Sequence, residues 1–151
     1  MIFAICGPSS CGKTSIISEL KNQGYSILEH QFARELLKLY DITIQDIQED
    51  SRLCDIFHEY LIEYKNNIEM QYISNQSIIF TERTFLDIAI YYLLYHPEII
   101  SCQNIIEIIS VILKNNKLRN FLLYSLKLTE ETYSQIFYLS KFPNIENDTI
   151  R

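Results

Sequence analysis

The chain has 151 residues, of which 48% are hydrophobic and 21% are charged, and its formal net charge is −6. These values exclude a disordered chain and favour one globular domain over residues 1–151. The acidic balance, without any block of lysine and arginine, argues against duplex nucleic acid or an anionic membrane as a dedicated partner.

The amino terminus and the cysteines both favour a cytoplasmic protein. We find no basic region or cleavage site around the apolar run at residues 2–6, and no uncharged stretch reaches transmembrane length. The cysteines lie far apart without CxxC spacing, which is typical of reduced thiols rather than of a disulfide scaffold. They are Cys6, Cys11, Cys54 and Cys102.

Apolar periodicity predicts alternating strands and helices in the first half of the chain. The run at residues 2–6 is typical of a buried strand, and helical spacing follows over residues 13–24, with Gly24 as a candidate carboxyl-terminal cap. Residues 25–30 are predicted as a second strand. Helices are then predicted over 31–40 and 51–73. The apolar stripe of the first of these helices is Phe32, Leu36, Leu37 and Tyr40. The stripe of the second is Leu53, Phe57, Tyr60, Leu61, Tyr64, Ile68 and Tyr72.

The second half continues the alternation and indicates an α/β fold. Residues 77–82 are predicted as a third strand, 84–97 as a helix that ends at a proline, and 104–128 as one kinked helix or two, parted near Asn115 and Asn116. Residues 134–142 are predicted as a fourth strand, and 143–151 as a polar loop. Strands that alternate with helices form a mostly parallel sheet, here of about four strands, covered on both faces, with all carboxyl ends at one edge.

The stretch GPSSCGKT at residues 7–14 predicts a phosphate-binding loop. Gly7 and Gly12 let successive N–H groups point at an anion, and the helix that begins near Lys13 adds its partial positive charge. Lys13 can reach the β- and γ-phosphates, and the Thr14 hydroxyl can bind Mg²⁺. The alternative is a glycine turn with a solvated lysine. The predicted nucleotide-binding residues are Gly7, Pro8, Ser9, Ser10, Cys11, Gly12, Lys13, Thr14 and Ser15.

Charged side chains follow the other predicted strands at the same edge. We expect Glu82 to hold Mg²⁺ through water or to accept a proton, and Arg83 to clamp a phosphate or ribose edge. Asp87, one turn on, would orient Arg83. Glu29 would lie where an acceptor hydroxyl needs a base, and Arg34 would contact the substrate. The alternatives are an ordinary helix amino terminus at Glu82 and solvated side chains at the other positions.

Four stretches together resemble a known family. GPSSCGKT, ILEHQFAREL, IIFTERTFLDIAIYY and IFYLSKFPNIENDTIR resemble, in order and spacing, the small AAA-type P-loop domains related to ribosylnicotinamide kinase, within the wider branch of nucleoside and nucleotide kinases. The ERT after the third strand also resembles the Glu-Arg-Ser of deoxynucleoside kinases. The resemblance covers nearly the whole chain, and its first motif is the specific one.

This resemblance implies a P-loop NTPase fold, a three-layer α/β/α sandwich, with ATP and Mg²⁺ as cofactors. Glu29 and Arg34 would face the acceptor, and Asp148 and Arg151 would open the segment that leads into a mobile lid. The predicted catalytic residues are Lys13, Glu29, Glu82 and Arg83, the predicted Mg²⁺ ligands are Thr14 and Glu82, and the predicted substrate contacts are Arg34, Asp87 and Arg151.

The sequence departs from the family at its carboxyl end. Family members continue with a lid helix that carries arginines, a fifth strand and a closing helix, whereas this sequence stops at Arg151. We therefore expect a truncated domain that binds nucleotide and transfers phosphate slowly. An uncovered fourth strand would recruit a partner strand or form a homodimer.

The leading hypothesis is Mg·ATP-dependent phosphoryl transfer to a small nucleoside or nucleotide-like acceptor. The alternatives are a nucleotide-binding regulatory or NTPase module without an acceptor, and an inactive remnant.

Overall fold

The computed structural model describes residues 1–8, 10–28, 32–73 and 77–140. Ser9, Glu29, Asp148 and Arg151 lie outside these residues, as does the polar loop predicted for 143–151. The described part contains β1 (Ile2–Cys6), α1 (Lys13–Asn22), β2 (Ser26–Leu28), α2 (Phe32–Tyr40), α3 (Ile44–Glu49), α4 (Ser51–Ile73), β3 (Ile79–Glu82), α5 (Phe85–Tyr95), α6 (Pro97–Ile100), α7 (Ile105–Lys114), α8 (Asn116–Thr132) and β4 (Tyr133–Tyr138).

The four described strands form one parallel sheet in the order β2-β3-β1-β4. In this register Ile5 of β1 lies opposite Glu82 of β3 on one side and Phe137 of β4 on the other. Because the strands are parallel, their carboxyl ends meet at one edge of the sheet. The predicted α/β fold with a parallel sheet is therefore confirmed.

Helices cover both faces of the sheet, but unequally. Alternate residues of a strand point to opposite faces, and on one face Ile5 packs with Phe80 and with Ile17 of α1. On the other face Ile2 and Ala4 belong to a much larger core, to which α2, α4, α5 and α8 contribute. The result is a three-layer arrangement with a thick helical layer on one side.

The prediction for the buried face of α4 was partly wrong. Tyr60, placed in the apolar stripe, is 52% exposed and forms an edge-to-face ring pair with Tyr40, itself 50% exposed. Polar residues are buried instead, because they find partners inside the protein, and an apolar stripe cannot reveal this. The buried residues of α4 are Cys54, Phe57, His58, Leu61, Ile62, Lys65 and Glu69.

The predicted helix ends are largely confirmed. Gly24 has φ of +87°, its N–H donates to Lys21 O, and the Tyr25 N–H donates to Leu20 O, so α1 ends in a Schellman motif. Asn115 separates α7 from α8. Pro97 follows the end of α5 and begins α6, where its missing N–H costs no hydrogen bond. The short helix α3 was not predicted, because its capping box lies in a polar stretch.

The bounds of the last helix and the last strand, α8 and β4, differ from the prediction. Helix α8 runs on to Thr132, and β4 begins at the next residue and ends at Tyr138 rather than at residue 142. In the described sheet β4 is an edge strand, with Ile136, Phe137 and Tyr138 exposed. The expected homodimer through this edge stays a prediction. No helix of the described part is both long enough and apolar enough to span a bilayer.

Candidate nucleotide-binding site

The loop between β1 and α1 turns through residues with positive φ. These are Gly7 at 141°, Ser10 at 60° and Gly12 at 91°. A Cβ atom on Gly7 would lie 2.3 Å from the backbone oxygen of Leu139 and 3.0 Å from Cys11 Sγ. Only glycine fits there, because both the backbone angle and the approach of Leu139 exclude a side chain.

Lys13 folds back over this loop. Its ammonium donates hydrogen bonds to Gly7 O at 2.9 Å and to Pro8 O at 2.6 Å, and lies 3.6 Å from Cys11 Sγ. The residue is buried, yet no carboxylate of the described residues pairs with it. A buried ammonium held only by neutral acceptors can exchange them for phosphate oxygens, which are stronger acceptors.

Burial also raises the pKa of the Cys6 thiol at the base of the loop, so this group stays protonated.

The amino terminus of α1 is uncapped by any side chain of the described residues, and Gly12 occupies its N-cap position. Five other helices receive a capping side chain, from Thr43, Asp50, Thr84, Asn104 and Asn115. An uncapped helix start leaves backbone N–H groups available for an anion. Thr14 and Ser15 follow in the first turn and are exposed. The loop and the helix together have the properties of a phosphate site.

The end of β3 lies directly beside the loop. Glu82 pairs in register with Ile5, and the Arg83 N–H donates to Ile5 O at 2.9 Å. The Glu82 side chain is half-buried, and its carboxylate forms no hydrogen bond or ion pair with the residues that the structure describes. The backbone of Glu82 and Arg83 therefore lies next to the phosphate loop, and the roles of both side chains stay predictions.

Arg83 and Asp87 do not pair as expected. The Arg83 Nη1 donates to the Tyr91 hydroxyl at 2.9 Å, and the guanidinium carbon lies 4.9 Å from the centre of that ring. Asp87 instead caps α5, where its Oδ2 accepts from Thr84 N at 2.7 Å and from Thr84 Oγ1 at 2.9 Å. A contact of Asp87 with substrate stays a prediction. The sequence analysis did not identify Tyr91 as a partner of Arg83. The only sequence signal for it is that an aromatic residue stands two helical turns after Thr84.

The predicted acceptor side is only partly described. Arg34 lies on the exposed side of the first turn of α2. Glu29, the expected base, and Arg151, the expected lid contact, fall outside the described residues, as does Ser9 of the loop.

A buried polar cluster lies next to the end of β3, and sequence reasoning missed it. The Lys65 ammonium lies 2.5 Å from Glu69 Oε1 and 3.4 Å from Thr81 Oγ1. Glu69 also accepts from Thr81 Oγ1 at 3.0 Å and from the Tyr133 hydroxyl at 2.7 Å. Burial lowers the pKa of Lys65, while Glu69 opposes that shift. Burial and Glu69 both raise the pKa of Tyr133.

The residues at the loop fit Mg²⁺ bound together with a nucleotide. Within the described ranges, no three His, Cys, Asp or Glu side chains come together as a metal site of their own. Mg²⁺ usually binds through one or two protein oxygens, several waters and substrate phosphates. The Thr14 hydroxyl and the Glu82 carboxylate, which pairs with none of the described residues, are oxygen ligands of this kind, at the start of α1 and at the end of the neighbouring strand β3.

Comparison with known families gives one match that covers almost the whole chain. A family model described as an AAA domain matches residues 2–151, which include the loop and the end of β3. The match does not single out ribosylnicotinamide kinase. No curated protein matches the chain significantly.

Proposed function

The chain belongs to the AAA domain family, and from this premise we propose that it is a Mg·ATP-dependent phosphotransferase that acts on a small hydroxyl-bearing acceptor of the nucleoside or nucleotide-like class. The observation that carries the proposal is the hydrogen bond from Arg83 N to Ile5 O at 2.9 Å, since it keeps Glu82 and Arg83 beside the phosphate loop. An acid and an arginine beside the phosphates can serve Mg²⁺ binding and charge stabilisation during phosphoryl transfer.

The loop residues bind the nucleotide in this proposal. Lys13 exchanges Gly7 O and Pro8 O for oxygens of the β- and γ-phosphates, and the uncapped start of α1 donates its N–H groups. Thr14 and Glu82 would hold Mg²⁺, which when bound would neutralise charge on the phosphates.

The transfer itself requires little covalent chemistry from the protein. The acceptor oxygen attacks the γ-phosphorus, the bond from that phosphorus to the β–γ bridging oxygen breaks, and ADP leaves. The acceptor proton passes to a carboxylate at the edge of the sheet, for which the candidates are Glu29 or, where it does not hold Mg²⁺, Glu82. Arg83 neutralises charge on the phosphoryl group as it moves. Catalysis is therefore mainly positioning and charge stabilisation.

The test is an assay of ADP release with a panel of nucleosides, nucleoside monophosphates and ribosylnicotinamide. We expect one or more acceptors to stimulate ADP release, and Lys13→Ala to weaken Mg·ATP binding by about tenfold or more, because a charge-assisted contact is lost. Glu82→Gln should lower turnover far more than stability and raise the Mg²⁺ requirement. Lys114→Ala, which changes an exposed lysine at the end of α7, is the matched control.

Three outcomes would contradict the proposal in different ways. Equal Mg·ATP affinity of the wild type and Lys13→Ala would refute the loop assignment. Nucleotide binding with hydrolysis but without any stimulation by an acceptor would indicate a regulatory NTPase module. A parallel loss of melting temperature and activity in Glu82→Gln would make Glu82 structural.

A further inference from the structure

The backbone at Arg83 adopts an uncommon conformation. Its φ of 70° lies in the left-handed region, which residues other than glycine rarely enter. The conformation is held on both sides, by the bond from Arg83 N to Ile5 O and by the capping box of Thr84 and Asp87. Such outliers persist where the surrounding structure enforces them, and they cluster at functional sites.

The Arg83 side chain has an unusual environment for a half-buried cation. Within the described residues no carboxylate pairs with it, and its hydrogen-bond partner is the neutral hydroxyl of Tyr91. The guanidinium carbon also lies over the same ring, 4.9 Å from its centre, so Tyr91 contributes both a hydrogen bond and a cation–π contact. A guanidinium has five N–H donors, and among the described residues only Tyr91 accepts a hydrogen bond from this one, which leaves donors for an anion.

We propose that Tyr91 is a positioning residue that holds the Arg83 guanidinium in place for a phosphate group of the bound nucleotide. This inference rests on the proposed function, because that function is what assigns the Arg83 guanidinium to a phosphate group of the nucleotide. A planar guanidinium binds phosphate through two parallel hydrogen bonds, which require a defined orientation. A neutral tyrosine can provide this orientation without neutralising the charge, whereas a carboxylate would compete with the phosphate.

The test is a double-mutant cycle in the full chain. Tyr91→Phe removes the hydroxyl and keeps the ring, and we expect it to lower kcat about tenfold, as for loss of a hydrogen bond to a charged group. The melting temperature should stay near the wild-type value, whereas the Kd of Mg·ATP should rise, because a poorly positioned Arg83 binds the nucleotide phosphate less well. In the Arg83→Ala background, Tyr91→Phe should have no further effect on kcat, because Tyr91 acts through Arg83.

Tyr95→Phe is the matched control. Tyr95 is one turn further along α5 and its ring lies 5.8 Å from that of Tyr91, but its hydroxyl forms no hydrogen bond with the described residues. We expect this variant to keep wild-type kcat.

The inference is overturned if Tyr91→Phe matches the wild type, if its effect persists in the Arg83→Ala background, or if Tyr95→Phe causes the same loss. Failure of the proposed function looks different, since the wild type would then bind Mg·ATP without transferring phosphate. In that case the cycle is measured on the Kd of Mg·ATP, and equal values for all four proteins overturn the inference as well.

Discussion

His58 illustrates how burial changes the chemistry of a single side chain. The residue is 1% exposed, and its ring lies 5.2 Å from that of Phe57 and 5.1 Å from that of Tyr92. Its Nδ1–H donates to Cys54 O at 2.8 Å. Burial lowers the pKa of His58 to about 4, because the imidazolium form would lose its hydration. The folded protein therefore keeps this histidine neutral.

This shift predicts a loss of stability in mild acid. The unfolded chain binds a proton at His58 below its ordinary pKa of about 6.5, whereas the folded chain does so only near pH 4. The free energy of unfolding should fall as the pH falls between these values, by roughly 3 kcal/mol in total for this group. Urea unfolding at pH 7 and pH 4.5 measures it. His58→Gln should lose clearly less than the wild type, and equal losses would contradict the assignment.

At the scale of elements, the loop joins β1, α1 and the end of β4. The Leu139 N–H donates to Cys6 O at 2.9 Å, and the next backbone atoms of Leu139 pass directly over Gly7. Gly24, at the end of α1, has a φ of 87°, against 141° at Gly7, and open space around its Cα. A side chain at Gly24 therefore meets only the backbone cost, whereas one at Gly7 meets both a backbone cost and steric exclusion.

We expect Gly7→Ala to destabilise the protein much more than Gly24→Ala. Gly24→Ala should lower the free energy of unfolding by about 1–2 kcal/mol, because a residue with a Cβ atom is then held in left-handed backbone. Gly7→Ala adds a clash with the Leu139 carbonyl, which should bring its cost to roughly 3 kcal/mol or more and weaken Mg·ATP binding. Urea unfolding of both variants and calorimetry with Mg·ATP measure these effects. Similar unfolding free energies would mean that the end of β4 moves away from the loop without cost.

For the whole molecule, the cluster of Lys65, Glu69, Thr81 and Tyr133 connects the thick helical layer to the sheet. Lys65 and Glu69 come from α4, Thr81 from β3 and Tyr133 from the start of β4. The Lys65 ammonium also lies 4.7 Å from the centre of the Phe32 ring at the start of α2. Three elements are thus joined by one fully buried ion pair and its hydrogen bonds, and α2 is joined to them by a ring contact.

Removing one charge of the Lys65–Glu69 pair should destabilise the protein more than replacing both charges. Lys65→Met leaves Glu69 buried without its cation, which should cost about 3–5 kcal/mol of unfolding free energy. In Lys65→Met/Glu69→Gln the amide oxygen still accepts from Thr81 or Tyr133, so much of that loss should be recovered. Urea unfolding of the two single variants and the double variant measures it. A double variant as unstable as the sum of the singles would show that the pair is not coupled.

The sequence by itself determined the features that depend on neighbouring residues. The phosphate loop, the strand before it, the Schellman motif at Gly24 and the break at Asn115 follow from residue types a few positions apart, because turns, caps and helical periodicity are local interactions. The α/β fold followed from the order of these elements.

Only the tertiary structure decided which distant residues meet. The order β2-β3-β1-β4 brings Glu82 beside the loop, and no local pattern contains that pairing. Lys65 and Glu69 are charged residues on a helix, so their sequence favours solvent, and they are buried because Thr81 and Tyr133 complete their hydrogen bonds. Tyr91 and Arg83 are eight positions apart and meet through a hydrogen bond, beside a left-handed backbone at Arg83 that no local pattern predicts. Contacts between residues far apart in the chain depend on the packing of the whole sheet and its helices.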